Sequence, residues 1–472
     1  MEDDKLSAST TGLSWATRLT LGCLLTPVIL GLLVIIGGVV WYRSFVAEGQ
    51  RAVQAEVAKI RASGSPLTSV ELNASYQPHP DREDVTTELL AAIASLERPE
   101  IKAQAKVLPI LDNGPEPPTP GQSWAQLAEV EAYLTAAADV GKFFESLPAR
   151  NPTARFPVDL TAAIAARLDH VSTIRSAARL NSLQFHADLH RTNFDQAAER
   201  PLQSFALAQC LEAEPTTLSQ LIRIAIIGMA VKDTEELLRH TSPTDDQLLS
   251  LQLAARKVDM LSGLKTAIEG ERAFGYTVSV CPLSMLKGGK FTADEINEFA
   301  KSMPNRPADV ALILSWYRRY LEGANDSVPA GMKVADEIEL EVKELEKSPL
   351  KIMYVQSLLL LPALKAAFIA VARTEAQCKS LDATLAAHRY RQANGNWPTK
   401  LEELVPKYLS AIPLDPFNGQ PLLVSQSNSE FKVYSVGENQ IDDGGKWSKT
   451  DRSDYGFIAT WHNQASENKE PQ

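Results

Sequence analysis

From Leu19 to Tyr42 the chain carries no charged residue, and Arg18 and Arg43 bracket the run. As a helix rising 1.5 Å per residue it would be about 36 Å long, against a hydrocarbon core of about 30 Å. Lipid offers the backbone no hydrogen-bond partners, so a run of this length in a bilayer must be helical. Trp41 and Tyr42 place aromatics at one interface, with Arg43 just beyond. A cleaved secretory signal has a shorter apolar core, about 7 to 15 residues, and a small-x-small cleavage site. Ser44-Phe45-Val46-Ala47-Glu48 offers no such site. The expectation is one uncleaved transmembrane helix over 19–42, after an N-terminal tail at 1–18.

With 472 residues, the chain exceeds the size at which single cores stop growing, so two or more folded units are expected. Its net charge of -11 and lack of any long Lys/Arg run argue against nucleic acid or anionic lipid as a partner. Four widely spaced cysteines exclude a disulfide scaffold and a Cys-x-x-Cys metal site. Cys23 lies in the apolar run, so at most one pair among Cys210, Cys281 and Cys378 could bridge.

Beyond the span, Ala-rich helical patterns cover 51–61 and 82–105, with a break at Pro99. A Pro-rich connection follows through Pro109, Pro115, Pro117, Pro118 and Pro120, closing a segment at 43–122. From 123 to 348 the pattern predicts a central α-helical domain. Ser123 and Gln126 read as a capping box opening a helix. Leu202, Phe205, Ala206 and Cys210, then Leu218, Leu221, Ile222, Ile224, Ala225 and Ile226, give wide apolar faces joined by a Glu214-Pro215 corner. Stacked antiparallel helical hairpins are expected. No fixed repeat period is present. Pro349 reads as the start of a long helix to Gln392, kinked at Pro362. Lys351, Lys365, Arg373 and Glu375 argue against a second span there.

The end of that helix runs into Asn394-Gly395-Asn396-Trp397-Pro398, then Leu401-Glu402-Glu403-Leu404-Val405-Pro406, Asp415-Pro416-Phe417-Asn418-Gly419 and Tyr434-Ser435-Val436-Gly437. A short helix over 400–405, a hairpin from 421–425 and 430–435, and a third strand at 455–461 follow from turn residues and alternation. In order and spacing these pieces resemble the C-terminal half of the major pseudopilin of bacterial type II secretion systems. The segments Glu214 to Ile226 and Gly270-Glu271-Arg272-Ala273-Phe274 also resemble parts of uncharacterised membrane-anchored bacterial proteins with the same tail. The resemblance implies a pseudopilin-like module at 349–462, a long helix on a three-stranded antiparallel sheet, before a disordered tail at 463–472. It further implies calcium in the acidic loop, with Asp442, Asp443 and Asp454 as ligands and Glu438 completing the set. Hard cations need such clustered oxygens in a Gly-containing loop. A Glu438-Asn439 pair stands where the family usually has an Asp, and the span lacks the early Glu that organises fibres. Assembly into a pilus is therefore not expected.

Catalytic signatures are sparse. His186 and His190, with Asp188 between, have the spacing of metal ligands on a helix but lack the His-Glu-x-x-His glutamate. Ser284-Met285-Leu286-Lys287 fits Ser-x-x-Lys without its companion motifs. Glu271-Arg272 reads as an ion pair within a helix. The fold expected is mainly α: a transmembrane helix, a central helical domain and a small α+β module. The expected function is that of a non-enzymatic, single-pass inner-membrane protein with its bulk outside the cytoplasm, contacting envelope or secretion proteins. The alternative is a membrane-anchored enzyme with its site in the central helices.

Overall fold

A computed structural model describes residues 15–112, 114–280, 306–360, 362–427, 430–446 and 453–460. The chain opens with one uninterrupted helix, α1 (Trp15–Ala62), which contains Pro27. From Thr26 onward α1 is long and apolar enough to cross a membrane. Val28 to Tyr42 are bare, with Leu30, Val34 and Val40 each more than 60% exposed. Past Arg43 the same helix becomes amphipathic. Val53, Glu56 and Ile60, three and four apart, are buried, and Val53 and Ile60 pack with Tyr276, Val280, Val310 and Leu314.

Short elements follow: α2 (Ser69–Ser75), β1 (Glu83–Asp84), α3 (Thr86–Ile93), α4 (Pro99–Ala105), α5 (Leu127–Ala136), α6 (Ala138–Arg150) and β2 (Pro152–Thr153). Thr68 and Glu71 close a reciprocal capping box on α2. β1 pairs parallel with β2. The box expected at Ser123 does not form. The helix starts at Leu127 behind an uncapped Gln126, whose side-chain amide donates instead to the Val107 carbonyl at 3.1 Å.

The body is built from α7 (Asp169–His190), α8 (Phe194–Gln209), α9 (Thr217–His240), α10 (Asp245–Arg256) and α11 (Met260–Val280), then α12 (Pro307–Asp326) and α13 (Val328–Lys347). The Glu214-Pro215 corner between α8 and α9 forms as the sequence predicts, and Thr216 caps α9 by accepting from Ser219 N. Gly270 of α11 lies against the Pro215 carbonyl, an approach that leaves no room for a side chain. Cys210 and Cys378 are buried free thiols, so that pairing is absent; Cys281 and Ser284 to Lys287 lie outside the described residues. Glu271 and Arg272 do not pair with each other. Glu271 accepts from Thr217 N and Arg272 donates to the Pro66 carbonyl.

The stretch expected as a helix from Pro349 opens with a 3-10 turn at Lys351–Tyr354 and continues as the helical residues α14 (Val355–Leu360) and α15 (Pro362–Asn394), with Leu361 outside the described residues. The kink expected at Pro362 falls at Leu361, which lies outside the described residues. Lys400 to Val405 holds a 3-10 turn, Leu401–Leu404. The strands β3 (Leu423–Gln426), β4 (Glu430–Ser435) and β5 (Tyr455–Thr460) form a three-stranded antiparallel sheet in that order, with Leu423 opposite Tyr434 and Ser435 opposite Tyr455. The sheet lies on α15. One connected apolar core runs from Leu72 to Ala459, continuous across residue 349. Two forked arginine contacts tie α15 to α10: Arg389 to Asp245 at 2.8 and 3.0 Å, and Arg256 to Asp382 at 2.8 and 3.0 Å.

Candidate functional site

Two of the tail motifs meet in space. The Asp415 carboxylate, fully buried, accepts from Phe417 N (2.8 Å), Ser435 Oγ (2.8 Å) and Val436 N (2.9 Å). Asp-Pro-Phe and Tyr-Ser-x-Gly are thus two halves of one structural hub. Gly437 follows with φ +64, and a side chain there would strike the Ser453 carbonyl.

Beyond this hub lies the acidic loop. Asp454, fully buried, accepts from Asp443 N (3.1 Å) and Gly445 N (2.8 Å). Burial pushes its carboxyl above the usual range, and the nearby charges of Asp442 and Asp443 push it the same way. Asp442 accepts from Tyr434 Oη (3.1 Å) and Gly444 N (2.9 Å), and Asp443 from Asn439 Nδ2 (2.9 Å). Glu438 is drawn the other way, into an ion pair with Arg373 of α15, whose guanidinium lies 5.1 Å from the Tyr455 ring centroid. The loop brings Asp442, Asp443 and Asp454 together but engages Glu438 elsewhere. Among the described residues no group of three or more His, Cys, Asp or Glu is gathered so as to hold a metal ion. Asp451 lies outside them.

The histidine pair on α7 does not face a common ligand. His190 packs on Trp124, ring centroids 5.0 Å apart, and Asp188 is buried against Arg200 at 2.9 Å. His186 Nε2 lies 3.9 Å from Asp233 Oδ1 on α9, which accepts from Ser182 Oγ at 2.9 Å. Burial pushes the Asp233 carboxyl up to about 7 and lowers His186 to about 4. Ser182, His186 and Asp233 have the residue types of a catalytic triad. Ser182 and Asp233 are sealed in the interior, with no substrate-sized opening beside them among the described cavities.

The largest described cavity is a groove of about 1070 Å³ where α1 leaves its bare span and meets α12 and α13. Gly49 brings α1 so near the start of α12 that a Cβ would sit 2.7 Å from Ala308 N. Ala52, Ala311, Leu312, Leu340 and Leu345 make its apolar walls, with Phe45 at the end nearest the bare segment of α1. Its described lining contains no His, Cys or Asp. Carboxylates mark the edge: Glu341 accepts from Trp316 Nε1 and Arg319 Nη1 at 2.6 Å each, whereas Glu48 has no basic partner among the described residues. Sequence reasoning missed this groove. A signal was present in Leu340, 63% exposed and off the stripe of Val328, Gly331, Ala335 and Ile338 that α13 buries. Compared with protein-family models, curated proteins and solved structures, the chain matches none.

Proposed function

We propose that this chain is a single-pass inner-membrane protein, its bulk outside the cytoplasm, that binds another envelope or secretion protein and catalyses nothing. One observation carries this reading: α1 passes without a break from a bare apolar rod into a buried element of the folded body. Anchor and body are one rigid helix, so whatever the body holds is presented at fixed height above the bilayer. The groove opens about 5 to 15 Å beyond Tyr42 along α1, from the position of Phe45 to that of Ala52. Its apolar walls and free Glu48 suit an apolar helix of a partner with Lys or Arg on its edge. The tail is a pseudopilin-like module in this proposal, with calcium at Asp442, Asp443 and Asp454. Support for the ion is the buried carboxylate of Asp454 between two like charges, which a cation would relieve.

The test is photocrosslinking from Ala52 and Leu340 in native membranes, with Lys106 as a position outside the groove. The expected adduct maps to an apolar segment of another membrane protein flanked by Lys or Arg, and Glu48→Lys abolishes it. Adducts only to lipid, to a second copy of this chain, or to nothing would overturn the binding reading. Extraction of the chain from membranes by alkaline carbonate would separately overturn the anchor.

A further inference from the structure

A second cavity, about 420 Å³, lies between the end of α1, the loop after it, α11 and α12. It is polar where the groove is apolar. Arg272 of α11 lines it while only 2% exposed. That guanidinium donates one hydrogen bond, Nη2 to the Pro66 carbonyl at 2.9 Å, and its Nε has no acceptor. No carboxylate among the described residues lies within ion-pair distance of it, although buried arginine is ordinarily paired. Burial accordingly depresses its pKa, with Glu269 pulling in the opposite direction.

Lys265 lines the same cavity two helical turns earlier, on the same side of α11, and among the described residues it likewise has no ion pair. The other cations there are already matched. Arg318 holds Glu56 at 2.7 Å and Glu322 at 2.7 Å, and Lys59 holds Glu56 at 2.8 Å. Glu269, between Lys265 and Arg272, accepts from Ser65 Oγ at 2.7 Å. Ser262 and Thr266 add hydroxyls to the wall.

We infer that this cavity binds a small organic carboxylate that also carries an amine or hydroxyl. Arg272 and Lys265, neither with an ion pair among the described residues, line one cavity in a chain of net charge -11, which favours an anion there. An arginine fork matches a carboxylate's two oxygens. Glu269 disfavours a bare dianion and selects a ligand offering a donor beside its carboxylate. Nothing here rests on the groove or on the membrane anchor.

The test is calorimetric titration and thermal unfolding of the full chain in detergent micelles. The probes are serine and lactate, with acetate and inorganic phosphate for comparison at equal ionic strength. Serine or lactate is expected to bind more tightly than acetate or phosphate and to raise the unfolding temperature. Lys265→Ala, at a half-buried position that leaves the fold intact, weakens binding about tenfold, the scale of one charge-assisted hydrogen bond. Arg272→Met removes binding, and Glu269→Gln erases the preference of the site for serine over acetate. No heat and no thermal shift with any probe up to about a hundredfold excess over protein would overturn the inference, as would unchanged affinity in Lys265→Ala. Phosphate binding more tightly than either hydroxy or amino acid would overturn the assigned ligand class.

Discussion

Gly270 sets up a substitution whose sign is decided by packing. Replacing a mid-helix glycine with alanine ordinarily stabilises a protein by about 1 kcal/mol, because alanine loses less backbone freedom on folding. At Gly228 in α9 that is all that should happen, since a Cβ there meets nothing within 4 Å. At Gly270 the new methyl would overlap the Pro215 carbonyl oxygen and sit 2.8 Å from its carbon. Ordinary contact lies near 3.5 Å or beyond, so the two backbones must part by roughly 1.5 Å. The obstruction is main chain at a proline corner and has no rotamer to move into. Overpacking of this kind costs about 1 to 3 kcal/mol, and the upper end applies here. Gly270→Ala should therefore destabilise by about 1 to 2 kcal/mol net while Gly228→Ala stabilises by about 1. Urea unfolding in micelles, followed by far-ultraviolet circular dichroism, should move the two midpoints in opposite directions with similar slopes. A Gly270→Ala midpoint at or above wild type would refute the close packing of α11 on the Glu214-Pro215 corner.

Asp415→Ala should cost about 3 to 5 kcal/mol by stranding Ser435 Oγ and the Phe417 and Val436 N–H groups, with Asp415→Asn milder; equal unfolding midpoints would sink the hub. Phe368, fully buried with its ring 5.5 Å from Tyr320 and against Gly331, should lose about 3 to 5 kcal/mol on change to alanine, checked by the same unfolding assay. Asp233 and His186 should set opposing pH slopes. Asp233, raised to about 7, keeps a proton in the folded state that the unfolded state releases near 4, so its contribution falls as pH rises from about 4 to 7. His186, lowered to about 4, is neutral when folded while its unfolded counterpart binds a proton below about 6.5, so its contribution rises with pH across that window. Relative to wild type, Asp233→Asn should then gain stability with rising pH and His186→Gln should lose it; parallel profiles would contradict the burial of both groups. Calcium at a hundredfold excess over its Kd should stabilise the chain by about 2.7 kcal/mol against chelator, and identical thermal midpoints would refute a site in the acidic loop.

Features governed by neighbours in sequence were legible before the fold was known. The apolar run, the Glu214-Pro215 corner, the antiparallel pairing of β3 with β4 and the third strand all follow from local composition and alternation. Readings failed where a distant group competed. Gln126 had a capping partner in Ser123, but the Val107 carbonyl takes its amide. Glu271 and Arg272 fail for a simpler reason: adjacent helical residues point about 100° apart, so they engage different neighbours. Both cavities are made by helices far apart in the chain. Leu340 out of phase and Lys265 in line with Arg272 were visible, but their surroundings were not.

With α1 as the proposed anchor, its unbroken course would turn bilayer geometry into movement of the body. In the proposed anchored arrangement, the helix from Tyr42 to Ala62 would extend about 30 Å past the interface. Membrane helices tilt over a range of about 0 to 40° as hydrocarbon thickness changes. A change of about 20° in that tilt would swing the far end of α1 sideways by about 10 Å, and the helices packed on it would follow. Bilayer thickness would then set where both cavities stand over the membrane plane, with no hinge between lipid and protein to absorb the change.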